Sequence, residues 1–246
     1  MNILDKILQK KHEEVSQLHK DFADNPFRKL LVYESKEAVL IAEVKRKSPS
    51  GGNLFTGKVA DLIDDYNKGG ADALSVVTDS QFFGGSSKEF SEIRDLTALP
   101  ILKKDFVVDV AQVVEAYLEQ ADAILLIARV VDNTNLQLLI QTAIGLGMVP
   151  VVEIFDPSEI EGVLTAGASI IAVNTRDLRT QKLDHERAVK TLQSLPENTT
   201  SLLFSGIYNR EDVAIAQKNG ARGVLVGTSL LTSNNRIALL RKLRGQ

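Results

Sequence analysis

Eight short apolar segments alternate with helical patterns along this chain of 246 residues, and the alternation predicts an α/β fold: a closed (β/α)8 barrel, or TIM barrel, of parallel strands. A second observation is a recurring unit in which a helical pattern ends at Gly-Ala or a close variant and an apolar strand follows. Its copies are GGADALSVV (69–77), EQADAILLI (119–127), AGASIIAV (166–173) and NGARGVLVG (219–227). An open doubly wound sheet is the alternative, but eight units without a break in composition favour closure.

The predicted elements follow one another in strict order, each strand being a short apolar run suited to burial on both faces. Strands are predicted at 39–45, 73–78, 101–105, 123–129, 149–154, 170–175, 201–205 and 223–227. Helices are predicted near 58–69, 88–98, 109–120, 134–146, 157–166, 184–195, 209–219 and 233–244. Several helices follow a capping residue, and these residues are Ser86, Asp109, Asp156 and Asn209.

Residues 1–35 precede the first strand and form a predicted helical extension of the barrel. An amphipathic helix is expected at about 3–19, packed across one end of the barrel. No linker or low-complexity segment interrupts the chain. The whole length, 1–246, is therefore expected to fold as a single domain.

Composition narrows the classes of function. The formal net charge of −3 gives no reason to expect nucleic acid or an anionic membrane as a partner. The absence of cysteine excludes disulfides, thiolate metal sites and a cysteine nucleophile. No apolar run reaches the roughly 18 residues of a membrane span, and the charged N-terminus differs from a secretion signal, so a cytoplasmic protein is expected. The oligomeric state stays open, and a monomer is compatible with the sequence.

The three histidines do not indicate a metal site. His12, His19 and His185 fall on helical patterns away from the strand ends, and we expect them to face solvent. No pair of histidine and carboxylate residues has the spacing of metal ligands. Neither a metal nor a cofactor is therefore expected.

Polar residues end most of the predicted strands, although an apolar strand has no structural reason to carry them. They are Glu43, Lys45, Lys104, Arg129, Glu153, Asn174, Ser205 and Thr228. Ionised side chains cost several kcal/mol to remove from water, so a core does not collect them by chance. Barrel enzymes place their active sites at the carboxyl ends of the strands. The pattern predicts an active site assembled from many strand ends.

Two pairs of these residues suit acid–base chemistry. Glu43 and Lys45 lie two positions apart and point to the same side of the first strand, either as catalytic groups or as a structural ion pair. Lys104 and Glu153 can face one another across the barrel mouth, where a lysine close to a second cation can serve as a proton donor. Strand parity turns the adjacent Lys103 the other way. A lysine that forms a Schiff base is the alternative chemistry.

Small residues after the seventh and eighth strands predict a phosphate site. Ser205 and Gly206 follow the seventh strand, and Gly227 and Thr228 follow the eighth. Barrels of this kind commonly hold phosphate at these two loops and a short extra helix, because backbone N–H groups can approach the anion there. Two ordinary tight turns are the alternative.

Two further loops are expected to border the site. The loop 46–52 is long and basic, and it can supply charge and hydroxyl groups before it moves over the site as a lid. The loop after the second strand contains FFGGS (82–86). Phe83 and Phe106 can together form an apolar slot for a substrate ring, although phenylalanine at such positions is more often plain packing.

Seven segments, taken in order, resemble the indole-3-glycerol phosphate synthase family of tryptophan biosynthesis. They are IAEVKRKSPSGG (41–52), FFGGS (82–86), ILKKDF (101–106), PVVEIF (150–155), NTRDL (174–178), SGI (205–207) and VGTSL (226–230). The resemblance covers essentially the whole chain. It implies a carbon–carbon lyase that converts 1-(2-carboxyphenylamino)-1-deoxyribulose 5-phosphate to indole-3-glycerol phosphate, CO₂ and water by a decarboxylating and dehydrating ring closure.

The resemblance also implies catalytic roles. Lys104 corresponds to the general acid that polarises the substrate ketone, and Glu153 corresponds to the base. Lys45 corresponds to a second cation that can hold the anthranilate carboxylate. Glu43 and Asn174 resemble the residues that orient these groups and bind the substrate hydroxyls. The sequence leaves open which lysine donates a proton at which step.

Further positions correspond to substrate-binding residues of the family. Those of the phosphate site are Ser48, Ser205, Gly206, Gly227 and Thr228. Arg176, Phe83 and Phe106 are expected to support or contact the rest of the substrate. Arg129 has no assigned task, and a supporting ion pair is expected there.

One position departs from the family pattern. The family usually has glutamate immediately before the Ser-Gly pair, where this chain has Phe204. The missing carboxylate changes the charge around Lys45 and the geometry near Glu43, yet we expect activity to survive.

Two other functions stand as alternatives. Phosphoribosylanthranilate isomerase, a sugar-phosphate barrel enzyme of the same pathway, relies on a cysteine that this chain lacks. A catalytically degenerate barrel that serves as a binding module is supported by Phe204 alone, and the retained charged strand ends oppose it. An enzyme that acts on a phosphorylated small molecule is therefore expected.

Overall fold

Eight parallel strands close into a barrel in the computed structural model, which describes residues 3–33, 37–49 and 51–246. The strands are β1 (Val39–Val44), β2 (Ala73–Val77), β3 (Ile101–Lys104), β4 (Ala123–Ile127), β5 (Val149–Ile154), β6 (Ile170–Asn174), β7 (Thr200–Phe204) and β8 (Ala221–Val226). Strands adjacent in the chain pair with each other, and β1 pairs with β8 to close the ring. The predicted (β/α)8 barrel is confirmed, with each strand boundary within two residues of its predicted position.

Helices occupy the connections between the strands and both ends of the chain. They are α1 (Ile3–Asp24), α2 (Pro26–Val32), α3 (Val59–Gly69), α4 (Ser87–Leu96), α5 (Val110–Leu118), α6 (Asn133–Gly145), α7 (Ile160–Thr165), α8 (His185–Gln193), α9 (Arg210–Lys218), α10 (Thr228–Leu231) and α11 (Arg236–Arg244). The helix predicted at 157–166 is divided into a 3-10 turn, Pro157–Glu159, and α7. Neither α2 nor the hairpin formed by Lys47–Ser48 and Gly52–Asn53 was predicted, because both are too short to show a periodic pattern.

The four predicted side-chain caps are all present in the structure. Ser86 accepts a hydrogen bond of 3.1 Å from the backbone N–H of Glu89 at the start of α4. The other three are reciprocal capping boxes, formed by Asp109 with Gln112, Asp156 with Glu159, and Asn209 with Asp212. Each cap satisfies N–H groups that a helix start leaves without partners, an effect typically worth about 1 kcal/mol.

The turn from each helix into the next strand explains the repeated Gly-Ala. Gly167 and Gly220 have φ angles of 95° and 96°, in the left-handed region that glycine enters without strain. In the copy of the repeat where Gln120 replaces glycine, the glutamine itself has a φ of 62°. The turn conformation is therefore kept even where the residue type changes.

Strand parity divides the buried side chains into two layers. Alternate residues such as Ile41, Leu125 and Val151 fill the barrel interior, while their neighbours pack outward against the helices. Glu43 has the parity of Ile41, and Glu153 has the parity of Val151. Both carboxylates therefore point into the top of the interior, where they are buried.

Helix α2 of the N-terminal extension covers the opposite end of the barrel, whereas the packing of the helix predicted at 3–19 across that end stays a prediction. Phe27 and Leu31 of α2 pack against the interior apolar cluster. The side-chain amide of Asn25 donates to the backbone oxygens of Asp122 and Gly147, at 2.8 and 2.9 Å, just before β4 and β5 begin. No helix within the described ranges is long and apolar enough to cross a membrane. That the whole chain forms one domain stays a prediction.

Candidate active site

Two adjoining cavities open at the carboxyl ends of the strands. The larger has an empty volume of about 570 Å³ and the smaller of about 350 Å³. Most of the predicted site residues line one or both cavities: Glu43, Lys45, Ser48, Phe83, Lys104, Asn174, Arg176, Ser205, Gly206, Gly227 and Thr228. Closure of the barrel therefore brings together strand ends that are far apart in the chain.

Glu43 and Lys45 form an ion pair at the end of β1. Both side chains line the cavities, although Glu43 is only 4% exposed. Burial raises the pKa of Glu43, but the positive charges of Lys45 and Lys104 outweigh burial and hold this pKa below its ordinary value. Glu43 is therefore ionised at neutral pH, which is the form that can pair with Lys45 as predicted.

Glu153 is a buried carboxylate with one free oxygen. Its Oε1 accepts a hydrogen bond of 3.0 Å from Asn174 Nδ2, while Oε2 is buried with no hydrogen-bond partner among the described residues. Burial raises the pKa of Glu153, and the charge of Lys104 and the hydrogen bond from Asn174 offset only part of this rise. Glu43 and Glu153 thus have pKa values shifted in opposite directions, which is typical of residues with different acid–base tasks.

Lys103 and Lys104 point to opposite sides of β3, as parity predicts. Lys104 lines the larger cavity, and its charge acts on both buried carboxylates. Lys103 points outward, where its Nζ lies 2.6 Å from Glu119 and 3.1 Å from Glu115, near the end of α5. Of these two lysines, Lys104 is the one placed to act on a bound molecule.

Tight turns after β7 and β8 border the smaller cavity. Ser205 has a φ of 67°, which is uncommon for a residue with a side chain, and Gly206 follows with 76°. Gly227 lies against the β1 ion pair, since a β-carbon there would be 2.0 Å from Glu43 Oε2. Thr228 begins the short helix α10. On the side of these turns, backbone with little side-chain bulk therefore lines the cavity, which is the kind of lining that suits phosphate binding.

Arg176 connects Asn174 to the cavity wall. Its backbone N–H donates to Asn174 Oδ1 at 3.0 Å, and its Nη1 donates to the backbone oxygen of Gln181 at 2.7 Å. The Arg176 side chain lines both cavities. The side-chain amide of Asn174 is therefore held at both ends, by Arg176 and by Glu153.

The two loops predicted to border the site contact each other. The backbone N–H of Lys47 donates to the Phe83 oxygen at 3.0 Å. Ser48 and Phe83 line the larger cavity, and the ring centroid of Phe106 lies 6.1 Å from that of Phe83. Movement of the first loop as a lid stays a prediction, and Ser50 in that loop lies outside the described residues.

The predicted strand position of Arg129 was wrong. β4 ends at Ile127, and Arg129 lies in the 3-10 turn Ala128–Val130. Its side chain forms the expected ion pair, with Glu159, and its guanidinium carbon is 4.6 Å from the centre of the Phe155 ring. These contacts direct Arg129 towards the end of β5 and away from the cavities.

The prediction that His185 lies away from the strand ends was also wrong. His185 is exposed, but a β-carbon on Gly206 would lie 2.6 Å from its Cε1. Barrel closure places the start of α8 beside the turn after β7, and this contact has no signal in the local sequence. The side chains of His12 and His19 lie outside the described part of the chain.

Several cavity residues were given no individual role from the sequence, although three of them lie within the quoted motifs. They are Leu178, Gln181, Ile207, Tyr208, Leu225 and Ser229. Leu225 illustrates the reason, because an apolar residue inside an apolar strand looks like any other core residue. Phe204 also lines the larger cavity, although it is only 1% exposed, so its ring fills the space where the family usually has a carboxylate.

The closed barrel, with buried charged groups around cavities at the strand ends, defines a (β/α)8-barrel enzyme. Two solved structures share the fold. Thiamine phosphate pyrophosphorylase from Pyrococcus furiosus has a TM-score of 0.62 over 85% of this chain and 95% of its own. 3-Hexulose-6-phosphate synthase from Salmonella typhimurium has a TM-score of 0.68 over 84% and 96%. Each is 16% identical to this chain, so the likeness shows the fold alone.

Sequence relatives identify the family. A family model described as indole-3-glycerol phosphate synthase matches residues 4–243. Proteins named indole-3-glycerol phosphate synthase are 38% identical over 236 residues in Endomicrobium trichonymphae (95% of this chain, 90% of the relative) and 37% identical over 238 residues in Aquifex aeolicus (96% and 91%). The relative from Bacillus cereus is 36% identical over 240 residues (95% and 94%). The chain belongs to the indole-3-glycerol phosphate synthase family, the decarboxylating lyases of tryptophan biosynthesis.

Proposed function

We propose that the two cavities bind 1-(2-carboxyphenylamino)-1-deoxyribulose 5-phosphate and that Lys104 and Glu153 are the acid and the base of its ring closure. Family membership supports the choice of substrate. The observation that carries the assignment is the buried Glu153: its Oε2 has no hydrogen-bond partner among the residues described, and its Oε1 accepts a hydrogen bond from Asn174 in the cavity wall. A buried carboxylate with a raised pKa is unfavourable for stability, and such groups concentrate at functional sites.

The substrate phosphate occupies the smaller cavity in this proposal. Ser205 and Gly206 approach it from the turn after β7, and Gly227 and Thr228 approach it from the turn after β8. Ser48 reaches the substrate from the β1 loop, through its position on the wall of the larger cavity. The positive charges that border both cavities favour a dianionic group.

The anthranilate ring and the ribulose chain occupy the larger cavity. Phe83 provides an apolar contact for the ring, with Phe106 behind it. Lys45 holds the ring carboxylate, and its ion pair with Glu43 fixes the position of the ammonium group. Arg176 supports the same end of the site. These contacts orient the ring carbon towards the ketone.

Ring closure begins when the carboxylate-bearing ring carbon attacks the ketone carbon. Lys104 Nζ donates a proton to the ketone oxygen as the new carbon–carbon bond forms, so the ketone becomes a hydroxyl group. The bond to the carboxylate then breaks, its electron pair restores the aromatic ring, and CO₂ leaves.

Dehydration completes the indole ring. The new hydroxyl group leaves as water after it takes a proton from Lys45, and Glu153 Oε2 removes a proton from the substrate so that the ring double bond can form. Asn174 orients Glu153 throughout, since its amide donates to the other carboxylate oxygen at 3.0 Å. The reaction requires no oxidant or reductant, and we place it in the cytoplasm.

Phe204 is compatible with this mechanism. Glu43 already neutralises Lys45 through a direct ion pair, so a further carboxylate at position 204 is not required for charge balance. The retention of Glu43, Lys45, Lys104 and Glu153 in one site opposes a binding module without catalysis. We therefore expect turnover.

The test is a fluorescence assay of indole-3-glycerol phosphate formation by the purified protein. Lys104→Ala should lower kcat by a factor on the order of 100 or more, because it removes the proton donor. Lys103→Met is the matched control, since Lys103 points away from the cavities, and it should retain turnover at temperatures where the protein is folded. Wild-type turnover no faster than that of Lys104→Ala would refute the proposal.

A further inference from the structure

Arg187 of α8 joins the ends of two strands that carry site residues, although it is not among the described residues that line the cavities. Its Nη2 donates to the backbone oxygen of Asn174 at 2.7 Å and to that of Thr175 at 3.1 Å, at the end of β6. Its guanidinium carbon lies 3.3 Å from the centre of the Phe155 ring, immediately after β5. One side chain therefore contacts the carboxyl ends of both strands.

These two strand ends carry the proposed base and the amide that orients it. Glu153 lies two residues before Phe155, and Asn174 is the residue whose carbonyl group Arg187 holds. The hydrogen bond of 3.0 Å from Asn174 Nδ2 to Glu153 Oε1 requires a constant separation of the strand ends. A change of well under 1 Å in that separation would weaken the bond and move Oε2 relative to the substrate.

Phe155 is itself fixed on a second side. The guanidinium carbon of Arg129 lies 4.6 Å from the centre of the same ring, and Arg129 forms an ion pair with Glu159. The other oxygen of Glu159 accepts the backbone N–H of Phe155 at 2.6 Å. The ring is therefore a rigid partner for Arg187, and Arg129 supports it.

An arginine is needed at position 187 because its contacts combine a planar stack with directed hydrogen bonds. Nε and Nη1 of Arg187 are buried without hydrogen-bond partners in the described part of the chain, which is unfavourable for stability. Burial holds the pKa of Arg187 below its ordinary value, and the nearby carboxylates of Asp184 and Asp156 offset only part of this lowering. A flexible lysine would avoid the unpaired donors but could not lie flat on the ring.

We propose that Arg187 is a positioning residue for ring closure: by joining the end of β6 to Phe155, it maintains the hydrogen bond from Asn174 to Glu153. Because this role rests on the proposed function of Glu153 as base, it predicts a loss of kcat. Substrate binding should change little, since the hydrogen bonds and the ring contact of Arg187 among the described residues are with the ends of β5 and β6 and not with the proposed phosphate turns.

The test compares Arg187→Met, Arg187→Lys, Phe155→Leu and Phe155→Tyr with wild type. Lys190→Ala is the control on the same helix, because it removes an exposed cation that pairs only with Glu186 among the described residues. Arg187→Met and Phe155→Leu should each lower kcat by about 10- to 100-fold, the usual range for residues that orient active groups without contacting the substrate. KM should stay within about threefold of the wild-type value. Phe155→Tyr keeps the ring and should retain the wild-type kcat. Arg187→Lys should have a kcat between those of Arg187→Met and wild type.

The pH profile of kcat provides a readout that a purely structural role would not move. The groups that face Glu153 are Lys104 on β3, Glu43 on β1, Glu159 before α7 and Asn174 on β6. Arg187→Met weakens the one hydrogen bond that lowers the pKa of Glu153, so the acid limb of kcat should move to higher pH. The double variant Arg187→Met/Phe155→Leu should lose no more activity than the more impaired single variant, because both changes break the same link between the ends of β5 and β6.

Three outcomes would overturn the proposal. The first is a folded Arg187→Met variant with unchanged kcat and acid limb, and the second is a rise in KM at constant kcat. The third is a Phe155→Leu variant with wild-type kcat. Glu153→Gln separates this inference from the function on which it rests. If Glu153→Gln is inactive and Arg187→Met is unaffected, only the positioning role fails; if Glu153→Gln is active, the assignment of the base fails.

Discussion

Gly227 lies so close to Glu43 that a β-carbon at position 227 would be 2.0 Å from Glu43 Oε2 and 3.1 Å from Lys45 Nζ. The missing side chain therefore gives Glu43 the space for its ion pair with Lys45. Gly227 also lines the smaller cavity. The same glycine thus borders the proposed phosphate site and leaves room for the ion pair of β1, which links these two parts of the proposed site.

Gly227→Ala should displace the carboxylate of Glu43 and disturb the ion pair. We expect kcat/KM to fall by about 100-fold, the loss typical of an active-site group displaced by about 1 Å. The protein should still fold. The matched control is Gly145→Ala, at a helical position where a β-carbon would have no atom within 4 Å. Steady-state kinetics and thermal unfolding of both variants check the prediction. Equal kinetics for Gly227→Ala and Gly145→Ala would contradict it.

The raised pKa of Glu153 predicts where kcat falls on the acid side of its pH profile, which we call the acid limb. Burial places this pKa above the ordinary value of 4.5, and a base acts only when unprotonated. kcat should therefore fall as pH decreases through the raised pKa, at a higher pH than an ordinary glutamate would give. Asn174→Ala removes a hydrogen bond that lowers the pKa of Glu153, so its acid limb should lie at still higher pH.

The measurement is kcat against pH for wild type, Asn174→Ala and Glu153→Gln. Glu153→Gln should retain little activity and lose the limb. An unmoved limb in Asn174→Ala would show that another group titrates there.

Phe204 should contribute to stability through the space that its ring fills, and it should take no part in the reaction. The ring is 1% exposed and fills the barrel interior at the end of β7. Phe204→Leu should lower the free energy of unfolding by about 1–2 kcal/mol through imperfect packing, with kcat within a few-fold of wild type. Phe204→Glu places an ionisable group in the same space, so it should be less stable than Phe204→Leu. Urea unfolding and the fluorescence assay measure both effects, and a large loss of kcat in Phe204→Leu would assign the ring a direct role.

Lys103 should contribute to stability and not to turnover. It is 3% exposed and holds Glu119, whose side chain is 12% exposed, at 2.6 Å. Lys103→Met leaves the largely buried Glu119 carboxylate without this partner and should lower the free energy of unfolding by about 2–4 kcal/mol. The double variant Lys103→Met/Glu119→Gln should recover part of that loss, because the unpaired charge is removed. Urea unfolding checks this, and an unchanged midpoint in Lys103→Met would contradict it.

The barrel and the direction of its side chains could be predicted because both depend on local patterns. Apolar runs of strand length alternate with capped helices, and parity within a strand separates neighbours such as Lys103 and Lys104. The same reasoning predicted that Glu43 and Lys45 share a side. The error at Arg129 arose where an apolar run continued into a 3-10 turn, since a period of two cannot locate the last strand residue.

Most residues that line the cavities could be named in advance for a different reason. Charged and small residues at the ends of apolar strands are unusual in a core, and several of them match the motifs of a known family. Apolar cavity residues such as Leu225 carry no such signal, because burial in a strand and contact with a ligand require the same side chain.

Taken alone, the sequence determined the order of the strands, the face to which each side chain points and the family. Only the tertiary structure decided which distant residues touch: Gly227 with Glu43, His185 with Gly206, and Arg187 with Phe155. The physical reason is that periodicity and capping act over a few residues, whereas these contacts form only when the barrel closes. Closure sets the separation of the strand ends, and that separation places Asn174 within hydrogen-bond distance of Glu153.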